Sequence, residues 1–305
     1  MPTPGRHHAR RPPPPRRGPA SPDRHRFLLG LAAGVVALGA GLELANGTDG
    51  ATTDATTAAG TSAAGTSAAG TSDLTTEPPP TPVPPVTTTA TPPPIPTVPA
   101  PTGTITALPG QGSLLALTVD DGTSSEVVAT YTRFCADSGV RLTFFVNGVN
   151  SSWTDNAPAL RPLVDSGQVL LANHTWSHPD VTTLGSSALA EEITRNDRFL
   201  RSTYGVAPEP FFRPPYGSHN SRTDSIAADL GHPTITMWEG SLADSSIVTE
   251  DFLLGLARQW FQPQHIVIGH ANHPAVTHTY PQLLEIIQQR GLRTVTLADV
   301  YRTGT

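Results

Sequence analysis

The sequence predicts an α/β fold: a distorted (β/α) barrel of about seven strand-helix units, preceded by a disordered spacer. Three observations carry this. After residue 108, short apolar runs rich in β-branched residues alternate with longer stretches of helical spacing, the pattern of a parallel sheet with helical crossovers. The alternating region, 104–305, is the length of one barrel-like domain, smaller than the usual eight-fold one. Most of the 32 prolines fall in the first hundred residues, ahead of that region.

The candidate strands come in order as "LLALTV" (114–119), "RLTFFV" (141–146), "QVLLA" (168–172), "PFFR" (210–213), "TITMW" (234–238), "HIVIG" (265–269) and "RTVTL" (293–297). Between them the helices have readable ends. Ser124 or Ser125 can cap a helix that closes near Gly139, and Leu189, Ile193, Leu200 and Tyr204 trace one apolar face of a helix stopped by Gly205. Glu191 with Arg195 and Asp197 with Arg201 are four-apart pairs read as its solvated side. Cys135, the only cysteine, reads as a packed thiol on the inner face of its helix, and no intrachain disulfide is possible.

Residues 1–26 hold seven arginines and many prolines and read as a basic cytoplasmic flank. Residues 27–45 begin with the uncharged "FLLGLAAGVVALGAGL", a signal peptide or a signal-anchor helix, with "ALG" at 37–39 a weak cleavage site. Arg24 and Arg26 are split by His25, which supports a twin-arginine signal poorly. Positive charge inside places everything after residue 45 outside the membrane, secreted or anchored. Residues 46–103, with "AAGTS" repeated and then a Thr-Pro stretch, cannot bury enough apolar surface to order themselves and read as a spacer.

The region 104–305 holds twelve arginines against nineteen acids, a net charge of −7, which argues against nucleic acid or anionic lipid as a partner. The N-terminal segment is then the one contact with membrane, and the domain is expected to be a monomer. All 19 basic residues are arginine, so mechanisms that need a Schiff-base lysine or a phosphate-loop lysine are excluded. There is no HExxH, no G-x-S-x-G elbow and no dinucleotide fingerprint.

What remains sits at the C-terminal ends of the candidate strands, the face where barrels build active sites. Asp120 and Asp121 follow the first strand, His174 and His178 the third, Arg213 ends the fourth, Asp244 follows the fifth and His270 the sixth. Two histidines four apart plus an aspartate from another loop make a three-ligand metal site with room for water, although such pairs also occur as surface or core residues. "DDG" is commonly a turn. Here Gly122 is expected to bend the backbone so that both acids turn inward, one to a metal and one free as a base. "FFRPPYG" reads either as a rigid loop or as Arg213 holding a carboxylate while the stiff turn offers a backbone N–H to an oxyanion. His270 reads either as a core histidine or as a general acid.

The segment 112–300 resembles the polysaccharide deacetylase family, carbohydrate esterase family four, on "TVDDG", "HTWSH", "RPPYG" and "IGH". The resemblance implies a metal-dependent N- or O-deacetylase on a distorted barrel. It implies Asp120 as general base, Asp121, His174 and His178 as ligands of Zn²⁺ or another divalent cation such as Co²⁺, and Arg213 as the brace of Asp120. It also implies the Tyr216 N–H at the oxyanion and His270 as the acid. The family's fourth motif, Asp-x-x-Asp-Trp, is altered: Ser241 replaces the first acid, Asp244 remains to partner His270, and Ser245 stands where the tryptophan walls the acyl pocket. Trp176 or Trp238 is the expected replacement. The substrate implied is an acetylated polysaccharide, cell-wall peptidoglycan before chitin oligomers and acetyl xylan. The alternatives are an amide hydrolase of the same fold and a catalytically impaired, glycan-binding relative.

Overall fold

The computed structural model describes residues 94–302. The basic flank, the apolar segment 27–45 and residues 46–93 lie outside the described residues. Among the described residues no helix is long and apolar enough to cross a membrane.

In chain order the elements are β1 Val98–Pro99, β2 Gly103–Ile105, β3 Leu114–Asp121, α1 Ser125–Ser138, β4 Leu142–Val146, α2 Ser152–Asp155, α3 Ala157–Asp165, β5 Val169–Asn173 and α4 Ser186–Tyr204. They continue as β6 Phe211–Phe212, α5 Ser221–Asp229, β7 Thr234–Thr236, β8 Gly240–Ser241, α6 Glu250–Trp260, β9 Ile266–His270, α7 Tyr280–Gln289, β10 Arg293–Thr294, α8 Leu297–Val300 and β11 Tyr301–Arg302. The main sheet runs β2-β7-β6-β5-β4-β3-β9-β8, with β10 also paired to β3, and every pairing in it is parallel. It is curled but does not close strand to strand, an open variant of the expected barrel. All seven expected strands are present. The last is shorter than its sequence suggested, because Thr296 caps α8 and the chain turns helical at Leu297.

Burial follows the alternation. The central strands β3 and β4 are buried almost throughout, as sheets covered on both faces must be. One core lies between the sheet and α1, α3, α6 and α7, with Phe144, Trp153, Leu160 and Phe261 fully buried in it. Ser124 caps α1 through Val127 N, and Gly139 ends it in the left-handed conformation. Cys135 is buried on the inner face, and burial pushes its thiol up to about 12, so it is not a nucleophile at neutral pH.

Two expectations need correcting. The spacer was expected to reach residue 103, yet 94–103 packs as part of the fold. β1 pairs with β11, Thr234 Oγ1 donates to Pro101 O at 2.6 Å, and Ile95, Val98 and Ala100 rest on a core cluster with Tyr301 and Leu297. Proline-rich composition hid this, because the segment gains its partners from residues distant in sequence, in β7 and β11. The second correction concerns α4. Neither four-apart pair forms: Glu191 meets Arg198, Arg201 meets Glu209, Arg195 lies over the Trp176 ring, and Asp197 is buried.

Candidate metal centre and its flanking acid-base pairs

The ends of β3, β5 and β9 and the loops after β5, β6 and β8 enclose a cleft of about 460 Å³ that includes Asp120, Asp121, His174, His178, Tyr216 and His270. Strand register explains part of the gathering. Asp120 pairs with His270 on one side and with Phe145 on the other, and β5 lies next beyond.

Asp120 and Asp121 should face opposite ways on a flat strand. Asp121 itself adopts φ 70 and Gly122 φ 79, so the bend starts one residue earlier than the sequence suggested. The Asp121 carbonyl accepts from Trp153 Nε1 and Asn150 Nδ2, both at 3.0 Å, which holds the unfavourable conformation. Gly122 is required sterically, because a Cβ there would lie 2.3 Å from the Trp153 indole. Among the described residues six non-glycines have positive φ. Asp121, Thr175, His178, Tyr216 and Ala243 are all on loops around this cleft, a concentration of backbone strain typical of functional sites.

Asp121 Oδ1 lies 3.3 Å from His174 Nε2 and 3.2 Å from His178 Nε2, and these three atoms form one group able to hold a metal ion. Oδ1 is buried with no hydrogen-bond partner, an unstable state for a carboxylate oxygen unless a cation meets it. His174 Nδ1 faces Arg213 O at 2.6 Å and so carries the proton, which leaves the Nε2 lone pair toward Asp121. Burial and the neighbouring His174 pull the His178 pKa down against the pull of Asp121, which favours the neutral ring a metal needs. For Asp121, burial alone would raise the carboxyl; the adjacent His174, with His270 and His178, outweighs it and holds the group well below the carboxylate range.

Arg213 is fully buried and donates to Asp120 Oδ1 at 2.6 Å, Thr118 Oγ1 at 2.9 Å and Thr236 O at 3.0 Å, with Phe145 beneath its guanidinium. The other oxygen, Asp120 Oδ2, lies 3.6 Å from His174 Nε2. Across the cleft His270 Nδ1 meets Asp244 Oδ1 at 3.1 Å. Burial lowers the His270 pKa, but the Asp244 hydrogen bond and the nearby carboxylates of Asp120, Asp244 and Asp121 more than offset it, so the pKa is raised. Tyr216 adopts φ 59, and its ring stands 4.5 Å from that of His178. Every site residue expected from the sequence therefore lies in or directly beside one cleft.

The altered fourth motif also has a place. Ser241 and Ser245 line the cleft with Trp238, whereas Trp176 packs on Phe199, so of these two tryptophans it is Trp238 that lines the cleft. Sequence reasoning missed Asn272, which donates to Asp121 Oδ2 at 2.7 Å and accepts from Thr123. An asparagine two residues past a strand end carries no chemical signal of its own.

Fold and site together define an α/β protein with a candidate divalent-cation centre at the carboxyl ends of a parallel sheet. Residues 108–235 match the polysaccharide deacetylase family, family-level evidence that this region has the fold of carbohydrate esterase family four. A chitin deacetylase of Pestalotiopsis sp is 28% identical over 221 residues, 67% of this chain and 72% of that protein. The peptidoglycan-N-acetylglucosamine deacetylase PgdA of Listeria monocytogenes is 28% identical over 192 residues, 61% of this chain, and this chain spans only 38% of its length. The solved chitin deacetylase of Colletotrichum lindemuthianum superposes with a TM-score of 0.60 at 24% identity, over 67% of this chain and 94% of that one; the likeness is one of fold.

Proposed function

We propose that the chain is a metal-dependent deacetylase that hydrolyses N-acetyl groups of a polysaccharide, peptidoglycan before chitin oligomers, with O-acetyl groups a further substrate. One observation carries this reading: a base held by a buried arginine and an acid held by a buried aspartate face each other across a three-ligand metal set. Asp121, His174 and His178 would hold Zn²⁺ or Co²⁺, which when bound lowers the pKa of water and polarises an acyl carbonyl. Asp120 takes the proton of the attacking water on Oδ2 while Arg213 keeps Oδ1 fixed. The Tyr216 N–H, on a turn stiffened by Pro214 and Pro215, is offered to the developing oxyanion. His270, protonated and oriented by Asp244, gives its proton to the leaving nitrogen or oxygen.

The export reading belongs here as well. Residues 27–45 would direct the chain out of the cell, cleaved or anchored, and the spacer would give the domain reach within a wall, acting as a monomer. Whole-cell protease treatment that leaves the domain intact would overturn that part.

A second reading follows from Ser241 and Ser245, which remove an acid and an indole from the cleft wall: a glycan-binding relative with impaired catalysis. Acetate release from acetylated peptidoglycan, chitin oligomers and acetyl xylan, with and without added Zn²⁺, decides between them. Metal-stimulated acetate from any of the three supports hydrolysis. Glycan binding without acetate supports the second reading.

A further inference from the structure

Behind the metal loop, on the side away from the cleft, four polar side chains are buried together: Asn173, Asn196, Asp197 and His232. Asn173, the residue before His174, donates to Asp197 Oδ1 at 2.6 Å and to Ile193 O at 2.9 Å. Its own Oδ1 accepts from Thr175 N at 2.8 Å and from Asn196 Nδ2 at 3.2 Å. Thr175 is one of the strained residues, φ 68, that throw His174 and His178 toward Asp121. On the far side, His232 Nε2 faces both Asp197 oxygens at 3.1 and 3.2 Å while Nδ1 faces Phe211 O at 3.3 Å. Both ring nitrogens meet only acceptors, so the ring is tied to Asp197 on one side and to the Phe211 carbonyl on the other.

Burying such polar groups is costly and is weak evidence of stability for its own sake. Here it has another use, because Asp197 is the one carboxylate that holds the Asn173 amide, and that amide holds the loop. We infer that Asp197 and His232 are positioning residues for the metal centre: the pair fixes Asn173, Asn173 fixes the Thr175 backbone, and the two histidines thereby stand preset for the ion. Neither residue touches substrate or metal. The inference rests on Asp121, His174 and His178 being the metal set, and the two ideas fail separately in the following test.

Zn²⁺ affinity of the metal-stripped full chain is measured by competition with a chromogenic chelator, well below each variant's Tm, together with the number of ions bound. Asp197→Ala is expected to raise the Zn²⁺ Kd about 10–100-fold, the usual cost of losing support behind a ligand, with one ion still bound at saturation. Asp197→Asn is expected to recover most of that affinity, because an amide of the same shape keeps an oxygen for Asn173 and a polar group against His232 Nε2. Leu283→Ala, a core truncation on α7, should lower Tm and leave the Kd alone, which separates positioning from general stability. Should Asp197→Ala not fold, His232→Gln cuts the same chain of contacts from the other end and is expected to weaken Zn²⁺ in the same direction. Wild-type affinity in folded Asp197→Ala would overturn the inference. So would two ions in the wild type and one in Asp197→Ala, since Asp197, Glu209 and His232 would then be a second cation site. A wild type that takes up no ion sinks the metal reading, and this inference with it.

Discussion

Asp120 and Asp121 are the same chemical group on successive residues, and the backbone turn at Asp121 gives them different neighbours: Asp120 meets Arg213 and Asp121 meets the two histidines. Asp121→Asn is expected to lose metal, since a neutral amide is a far poorer ligand, whereas Asp120→Asn should keep it and slow turnover by about 10²–10⁴-fold. Elemental analysis of both proteins checks this; metal lost from Asp120→Asn and kept by Asp121→Asn would reverse the roles. His270 gives a pH prediction with a definite sign. In the proposed role of acid it must be protonated, so activity is expected to fall as pH rises through its raised pKa. Asp244→Asn removes the hydrogen-bonded carboxylate that helps to raise it, and the basic limb of kcat against pH should move to lower pH. An unmoved limb would show that some other group sets it.

At the scale of elements, the turn after β3 and the pairing of β1 with β11 each give a test. Gly122→Ala puts a methyl into the Trp153 indole at a φ of 79 and is expected to destabilise by about 1–3 kcal/mol. Because Trp153 and Asp121 share a hydrogen bond, metal affinity should fall with it; calorimetry and Zn²⁺ titration read the two effects. A protein starting at residue 94 keeps β1, while one starting at 104 loses β1, the Gly103 N bond to Pro233 O and the packing of Val98. The shorter form should be less stable by about 2 kcal/mol, roughly 4–8 °C in Tm for a domain of this size. Equal melting temperatures would show that the spacer does end at 103.

For the whole molecule, the proposed division is between a catalytic unit and a chain that delivers it. The protein starting at residue 94 should match the full chain in kcat/KM on a small soluble acetylated oligosaccharide, because every residue of the cleft lies after 94. On intact walls the full chain alone should be effective if the spacer supplies reach. Comparing acetate release from the two substrates tests this, and equal performance on walls would remove the spacer's role. The acidic, lysine-free catalytic region also predicts no retention by DNA at moderate salt.

Seven of the strands, their parallel pairing and the residues of the cleft were legible in the amino-acid sequence because each is written locally; the short strands β1, β2, β8 and β11 were not. Apolar alternation marks a strand, and "TVDDG", "HTWSH" and "RPPYG" put rare combinations of acids, histidines and arginine directly after one. The first correction above, the reach of the fold back to residue 94, needed the tertiary structure, because β1 finds β11 some two hundred residues away. So did Asp197, whose four-apart spacing from Arg201 matched a solvated pair until packing buried it against His232 and Asn173. Trp238 over Trp176, and Asn272 on Asp121, were decided the same way. Periodicity and motif chemistry act over a few residues and can be read along a chain. Which buried polar groups meet is set by contacts between distant segments, and only the folded arrangement holds that information.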